Sequence, residues 1–107
     1  MNNMNKTQQK AYDWLLTQGY TSKDIVFQPR KTPDFLTSDG KGWEAKMLYG
    51  KSTVWFFDKQ ISLLSKLNNT FVLVFESGSK NPISIITNEK IIGNAIIDGI
   101  RIISVEK

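Results

Sequence analysis

The segment PDFLTSDGKGWEAK, residues 33–46, predicts a β-hairpin and with it the centre of the fold. Apolar β-forming residues flank the polar segment 38–42, whose Asp-Gly pair and second glycine are typical of a tight turn. A three-residue loop with a bulge places Asp34 directly opposite Glu44, and a slip of one residue places it opposite Ala45. In either register Asp34 and Glu44 lie within about one cross-strand step, which is roughly 4.5–5.5 Å between β-carbons.

The direction of the side chains on the second hairpin strand, predicted for residues 42–49, brings charged groups together. Glu44 and Lys46 are two positions apart, so both project from one face of that strand. The opposite face is predicted to be buried and carries apolar residues: Trp43, Ala45 and Met47. Two carboxylates and an amine thus converge, although the same residues also suit an ordinary exposed hairpin, so the surrounding elements decide between the two.

Composition narrows the chemistry that such a site can perform. The chain has 107 residues, 40% of them apolar, which predicts a single folded domain over residues 1–107. It contains no cysteine and no histidine, which excludes disulfides, thiolate metal sites, cysteine nucleophiles and histidine-based triads or metal sites. Any metal is therefore bound by oxygen, which favours Mg²⁺ or Mn²⁺ over Zn²⁺.

Charge and hydropathy indicate the compartment and the class of partner. The net charge of +4 is a mild bias towards polyanions such as nucleic acid. No apolar run approaches the roughly 18–20 residues that span a bilayer, so we expect no membrane partner. The polar N-terminus MNNMNKTQQK lacks an apolar signal core, and we expect a cytoplasmic protein.

Periodicity predicts an α/β fold with helices on the faces of a mixed sheet. The predicted elements are helix 6–18, strands 25–28, 34–37 and 42–49, an extended aromatic stretch 52–57, helix 58–67, strands 70–75 and 83–86, a short helix from Asn88, and strand 100–105. The run TFVLVF at 70–75 suits a strand buried on both faces and paired in parallel across a crossover helix. Asp58 and Asn88 are expected to cap helices, and the last strand is expected at an edge of the sheet.

Pro33-Asp34 followed by Glu44-Ala45-Lys46 resembles the signature of the PD-(D/E)xK nucleases. In that family the Asp begins one central strand, the ExK triplet lies on the next, and helices precede and follow the hairpin. The resemblance covers residues 6–76 and implies a restriction-endonuclease-like fold with an α-β-β-β-α-β core. It also implies metal-dependent hydrolysis of phosphodiester bonds in DNA. The layout most resembles the archaeal-type Holliday-junction resolvases, which implies structured or branched DNA as substrate.

The resemblance also implies the roles of the site residues. Asp34, Glu44 and the backbone carbonyl of Ala45 would bind Mg²⁺ or Mn²⁺. Lys46 would orient or deprotonate the attacking water, or stabilise the phosphate in the transition state. Gln60 would orient a water or a ligand, although an exposed polar residue at a helix start is an equally good interpretation of Gln60.

Helix 6–18 and the basic residues leave further questions open. The resolvases place a metal-linked Glu on their first helix, where this chain offers Gln8, Gln9 and Asp13, so whether Asp13 or Gln9 completes the metal site is open. Four basic residues near the hairpin ends are candidates for phosphate contacts, with solvated surface charge as the alternative: Arg30, Lys31, Lys41 and Lys51.

The aromatic run Trp55-Phe56-Phe57 either packs on both sides of a strand or supplies a dimer contact or a base-stacking surface. A homodimer would suit a small nuclease that cuts two strands. An RNA-cleaving, toxin-like nuclease, a non-catalytic nucleic-acid-binding module and a small basic interaction protein are the alternative functions. Residues 77–107 are assigned no role beyond completing the sheet.

Overall fold

A computed structural model describes residues 3–107 and contains two α-helices and eight strands. In chain order these are α1 (Lys6–Thr17), β1 (Ile25–Phe27), β2 (Phe35–Thr37), β3 (Gly42–Met47), β4 (Thr53–Phe57), α2 (Asp58–Leu64), β5 (Thr70–Phe75), β6 (Ser84–Thr87), β7 (Ile96–Ile97) and β8 (Ile100–Val105). Single 3₁₀ turns lie at Ser22–Asp24 and Asn88–Lys90. The coarse prediction of a mixed α/β protein is confirmed.

A five-stranded mixed sheet in the order β1-β2-β3-β5-β6 forms the middle layer. Its parallel pair is β3 with β5, in register from Gly42 opposite Thr70 to Met47 opposite Phe75. The connection between these two strands contains α2, because parallel neighbours need a crossover. The predicted parallel, doubly buried strand is thereby confirmed, since Val72 and Val74 are buried on one face and Leu73 and Phe75 on the other.

The expectation of one sheet is wrong, because β4 leaves the first sheet and starts a second. β4 pairs in parallel with β8, and β8 pairs antiparallel with β7, giving the order β4-β8-β7. The chain turns away after β3 at Gly50, whose φ of 61° lies in the region that glycine favours. The last strand therefore lies in the middle of a sheet and not at an edge, because β4 and β7 pair with its two sides.

Two hydrophobic cores lie on opposite faces of the five-stranded sheet. On one face α1 packs Ala11 and Leu15 against a cluster of strand residues: Ile25, Phe35, Trp43, Ala45, Leu73 and Phe75. On the other face the second sheet and α2 bury Val54, Phe56, Leu64, Val72, Val74, Ile86, Ile91, Ile100 and Ile102. The molecule is thus layered as helix, sheet, and a second sheet with α2. The side chains of Glu44 and Lys46 project into the second interface.

The ends of the helices follow local hydrogen bonding, and two predicted caps are wrong. Asn5 caps α1 through a capping box with Gln8. Asp58 is the first residue of α2, after Phe57 at the N-cap position. The Asn88 side chain donates to the carbonyls of Leu64 and Leu67 instead of capping a helix, which satisfies the carbonyl groups at the end of α2.

Within residues 3–107, neither helix has the length and apolarity that a membrane crossing requires.

Candidate active site

The β2–β3 hairpin adopts the first of the two predicted registers. Phe35 lies opposite Trp43, and continuing this pairing places Asp34 opposite Glu44. The loop has three residues, 38–40, and its Gly40 has a φ of 87°, which suits a hairpin closed by a bulge. The two carboxylates therefore meet where β2 begins, at one end of the strands.

Backbone hydrogen bonds hold the two carboxylates together. The N–H of Asp34 donates to Oε1 of Glu44 over 3.0 Å, and the N–H of Ala45 donates to Oδ2 of Asp34 over 2.9 Å. The Asp34 carboxylate thus takes the position of a ladder acceptor where the two strands diverge. Both residues are buried, with exposed fractions of 6% for Asp34 and 2% for Glu44.

The backbone carbonyl of Ala45 points towards β2, beside the two carboxylates. The N–H groups of Gly42 and Leu48 donate towards β5, so the backbone groups of the residues between alternate, and those of Ala45 point towards β2. The residue preceding Asp34 is Pro33, which has no N–H and cannot donate to this carbonyl. The Ala45 carbonyl oxygen therefore lies beside the Asp34 carboxylate and accepts no backbone hydrogen bond from Pro33.

Lys46 and Gln60 complete the cluster from β3 and α2. Lys46 Nζ donates to Gln60 Oε1 over 3.1 Å and lies 3.9 Å from Glu44 Oε2. Gln60 Nε2 donates to Glu44 Oε2 over 3.3 Å, and Gln60 Oε1 also accepts from the Phe57 N–H over 3.0 Å. All four side chains predicted for the catalytic site, Asp34, Glu44, Lys46 and Gln60, thus lie in one connected network.

Burial and like charge shift the pKa values in this network. Burial raises the pKa of Glu44 to about 8, with the neighbouring Asp34 carboxylate adding to the shift and the Lys46 ammonium opposing it. Burial also raises the pKa of Asp34, and the hydrogen bond from the N–H of Ala45 opposes this increase. The pKa of Lys46 is lowered by burial and held up by the two carboxylates. The Lys46 ammonium does not fully compensate the two carboxylates, Asp34 and Glu44. This electrostatic condition favours the binding of a cation.

The α1 side chain that reaches the site is Gln8, which the open question about the metal site had not singled out. Its Nε2 donates to Asp34 Oδ1 over 2.9 Å. Gln9 instead donates to Asp13 Oδ1 over 3.0 Å, and Asp13 lines a different cavity of about 410 Å³. Gln8 is at the N3 position of the α1 capping box, and its side chain projects in a different direction from those of Gln9 and Asp13. The helical pattern alone does not distinguish which of these three polar residues reaches the site.

The oxygen atoms at this site suit a hard divalent cation that takes few of its ligands from the protein. Among residues 3–107 no group of three or more Asp, Glu, His or Cys side chains is arranged to hold a metal. Mg²⁺, however, is commonly bound through one or two carboxylates and keeps several waters. Asp34 and Glu44 provide two carboxylates, and the Ala45 carbonyl would be a third oxygen ligand. Gln8 and Gln60 now donate to one oxygen of each carboxylate and would have to share or release it.

A cavity of about 640 Å³ opens at this network and is rich in cations. Asp34, Gln60 and Gln8 line it together with Arg30 and Lys31, two of the residues predicted to contact phosphate. Lys59 and Lys107 also line it and were missed by the sequence analysis. Lys59 directly precedes Gln60 on α2, and this neighbouring position could have predicted it. Lys107 reaches the cavity because β8 runs parallel to β4 with Val105 opposite Phe57.

The other two predicted phosphate contacts lie outside this cavity. Lys41 is at the hairpin tip, where its Nζ lies 5.9 Å from the Trp43 ring and 5.8 Å from the Phe71 ring. Lys51 lies in the turn before β4. The structure thus places Arg30 and Lys31 in the cavity that Asp34 lines, and Lys41 and Lys51 outside it.

Comparison of the chain with family models, with curated proteins and with solved structures finds no match. The function therefore has to follow from the network of Asp34, Glu44, Lys46 and Gln60 and from the cavity beside it.

Proposed function

We propose that this protein is a divalent-metal-dependent endonuclease of the restriction-endonuclease-like fold, which hydrolyses phosphodiester bonds in DNA. One observation carries the proposal: the buried Asp34 and Glu44 and the partly buried Lys46 and Gln60 form a single network at the mouth of a cation-lined cavity. Buried carboxylates with raised pKa values in a cleft are a recognised mark of a functional site. An exposed hairpin, the competing interpretation, would leave these groups in water.

The order of elements supports the finer fold assignment. α1 packs on one face of the sheet, the hairpin of β2 and β3 follows, and α2 crosses to the parallel strand β5. This is the α-β-β-β-α-β order implied by the resemblance, with β4 inserted before α2 and assigned to a second sheet. Branched DNA as substrate rests on the resemblance to resolvases alone.

The metal and the residues would divide the work between them. When bound by Asp34, Glu44 and the Ala45 carbonyl, Mg²⁺ or Mn²⁺ supplies charge neutralisation at the phosphate and a more acidic attacking water. Lys46 stabilises the negative charge that develops on the non-bridging phosphoryl oxygens. Gln60 fixes the position of the Lys46 ammonium through its Oε1.

The reaction adds one water across one phosphodiester bond. The water oxygen forms a bond to phosphorus while one bridging P–O bond breaks. One water proton leaves to solvent, and the departing sugar oxygen takes up a proton to become a hydroxyl group. Arg30, Lys31 and Lys59 hold the phosphates that flank the reacting one, which gives affinity without reading sequence.

A non-catalytic nucleic-acid-binding module is the second candidate, and one observation favours it. Each of the four carboxylate oxygens of Asp34 and Glu44 already accepts a hydrogen bond from the protein. If Gln8 and Gln60 do not release these oxygens, the cleft keeps its cations but binds no metal.

The test is a cleavage panel with labelled duplex, four-way-junction and single-stranded DNA and with RNA, each in Mg²⁺, Mn²⁺ or a chelator. Metal-dependent cleavage of DNA that is lost in Glu44→Ala, with folding intact, supports the proposal. Preferential cleavage of RNA would select the RNA-cleaving alternative. Salt-dependent binding without cleavage of any substrate would select the non-catalytic module.

A further inference from the structure

The two faces of β4 differ sharply in exposure. Val54 and Phe56 are fully buried, whereas Trp55 and Phe57 are 43% and 41% exposed. Because residues i and i+2 of a strand project from the same face, both exposed rings lie on one side of β4, about 7 Å apart along the strand. Contiguous exposed apolar patches on a folded chain commonly mark a binding surface.

Each exposed ring opens into a cavity that also contains residues of the candidate active site. Phe57 lines the cavity of about 640 Å³ together with Asp34 and Gln60. Trp55 lines a second cavity of about 200 Å³ together with Ala45 and Lys46. The active-site network therefore lies between the two cavities, with one aromatic ring in each.

The charge around the rings indicates what they contact. Lys107 Nζ lies 5.6 Å from the centre of the Phe57 ring. Lys46 lines the same cavity as Trp55, while its Nζ lies 4.5 Å from the centre of the Phe56 ring on the buried face of β4. Arg30, Lys31 and Lys59 line the Phe57 side. Aromatic rings flanked by cations bind single-stranded nucleic acid by stacking its bases while the cations contact its phosphates. A second copy of this chain would bring like charges together at the same place.

We infer that Trp55 and Phe57 form a stacking surface for unpaired bases on both sides of the scissile phosphate, so that the substrate carries a single-stranded segment at the cleavage site. The inference rests on the proposed nuclease function and specifies its substrate class. Paired bases in a continuous duplex already stack on one another and do not offer their faces to these rings. Frayed, branched or fully single-stranded DNA does.

The experiment measures binding in chelator, where no cleavage occurs, to oligothymidine of about 12 nucleotides and to a hairpin duplex. Trp55→Leu and Phe57→Leu should each weaken single-strand binding by about 5- to 100-fold and leave duplex binding unchanged. Trp55→Phe, which keeps an aromatic ring, should bind nearly as well as wild type. Ile96→Ala is the matched control, because Ile96 is 69% exposed and lies on β7, away from both cavities.

Tryptophan fluorescence provides a second readout that does not depend on how the leucine variants fold. Oligothymidine should quench the emission of the unmodified protein, and Trp55→Phe should remove most of that quenching. An oligouridine arm separates RNA from DNA as the source of the bases. Equal single-strand binding by wild type and both leucine variants would overturn the inference. So would a dimer that Trp55→Leu dissociates with no change in DNA affinity.

Parallel cleavage and binding assays on wild type and the two leucine variants separate this inference from the nuclease proposal. If the wild type cleaves nothing but binds single strands through Trp55 and Phe57, the nuclease proposal fails and the stacking surface stands. If it cleaves DNA while both leucine variants bind normally, the stacking surface alone fails.

Discussion

The N–H of Asp34 donates to Oε1 of Glu44 over 3.0 Å, which keeps two carboxyl groups side by side although like charges repel. Lys46 Nζ, 3.9 Å from Glu44 Oε2, compensates only part of that charge. The pKa of Glu44 is accordingly raised to about 8 by burial and by Asp34. The folded protein therefore keeps a proton that the unfolded chain releases near its ordinary pKa of 4.5.

Stability without metal should depend on pH with a defined sign. Between about pH 5 and pH 8 the folded state binds more protons than the unfolded state, so the free energy of unfolding falls as the pH rises. The single proton on Glu44 contributes at most about 1.4 kcal/mol per pH unit to the slope. Asp34 acts in the same direction because its pKa is also raised. Urea unfolding in chelator measures the slope.

Glu44→Gln is the control for that slope, because an amide resembles the protonated carboxyl group and does not titrate. The variant should lose most of the pH dependence and unfold at higher urea than wild type near pH 8. Equal slopes in the two proteins would show that Glu44 is ionised throughout this range in the folded state.

Metal binding should compete with the same proton. Since Glu44 must lose its proton to bind a cation, Mg²⁺ affinity should rise by up to about tenfold per pH unit from pH 6 to pH 8. Calorimetry in two buffers of different ionisation enthalpy should detect release of about one proton per Mg²⁺. Gln8→Ala, which frees Asp34 Oδ1, should bind Mg²⁺ at least as tightly as wild type. Binding that does not change with pH would contradict this account of the site.

The cations that line the large cavity should contribute to DNA binding more than those outside it. Arg30→Ala, Lys31→Ala and Lys59→Ala should each reduce the slope of log affinity against log salt concentration by about 0.9. Lys41→Ala and Lys51→Ala should leave it nearly unchanged, because neither lines that cavity. Fluorescence anisotropy over a salt series measures each slope. A larger loss in Lys51→Ala than in Lys31→Ala would place the DNA elsewhere.

Gly42 should be required for the geometry of the site. A Cβ at this position would lie 2.8 Å from Pro33 Cγ and 3.0 Å from Thr70 Oγ1, so Gly42→Ala must displace Pro33 and with it Asp34. We expect a destabilisation of about 1–3 kcal/mol and weaker Mg²⁺ binding. Gly93→Ala is the matched control, because its Cβ would lie 2.9 Å from Ser104 Cβ in the second sheet. It should destabilise similarly and leave Mg²⁺ affinity intact.

Local pattern was enough to predict the hairpin and the convergence of its side chains. The Asp-Gly turn limits the hairpin to two registers, between which the structure decides, and the period of two places Glu44 and Lys46 on one face. The apolar run at β5 likewise predicted a parallel, buried strand. The position of Gln60 at a helix start was equally compatible with an exposed polar residue, so local pattern did not decide its place in the network.

Long-range pairing accounts for what the sequence did not predict. β4 and β8 are separated by more than forty residues, and no local signal indicates that they pair and form a second sheet. That pairing brings Lys107 to the cavity and exposes Trp55 and Phe57. The contact from Gln8 to Asp34 depends on how α1 packs on the sheet, which helical periodicity leaves undetermined among neighbouring polar residues.

The most direct test of the metal-dependent nuclease is single-turnover cleavage of labelled DNA by wild type and by Glu44→Gln, in Mg²⁺ and in chelator. The β4 stacking surface makes a junction with a single-stranded arm the substrate to use. Wild type should cleave only with the metal, and Glu44→Gln should be slower by about 100-fold or more while remaining folded. Cleavage by wild type in chelator, or equal rates for the two proteins in Mg²⁺, would contradict the proposal.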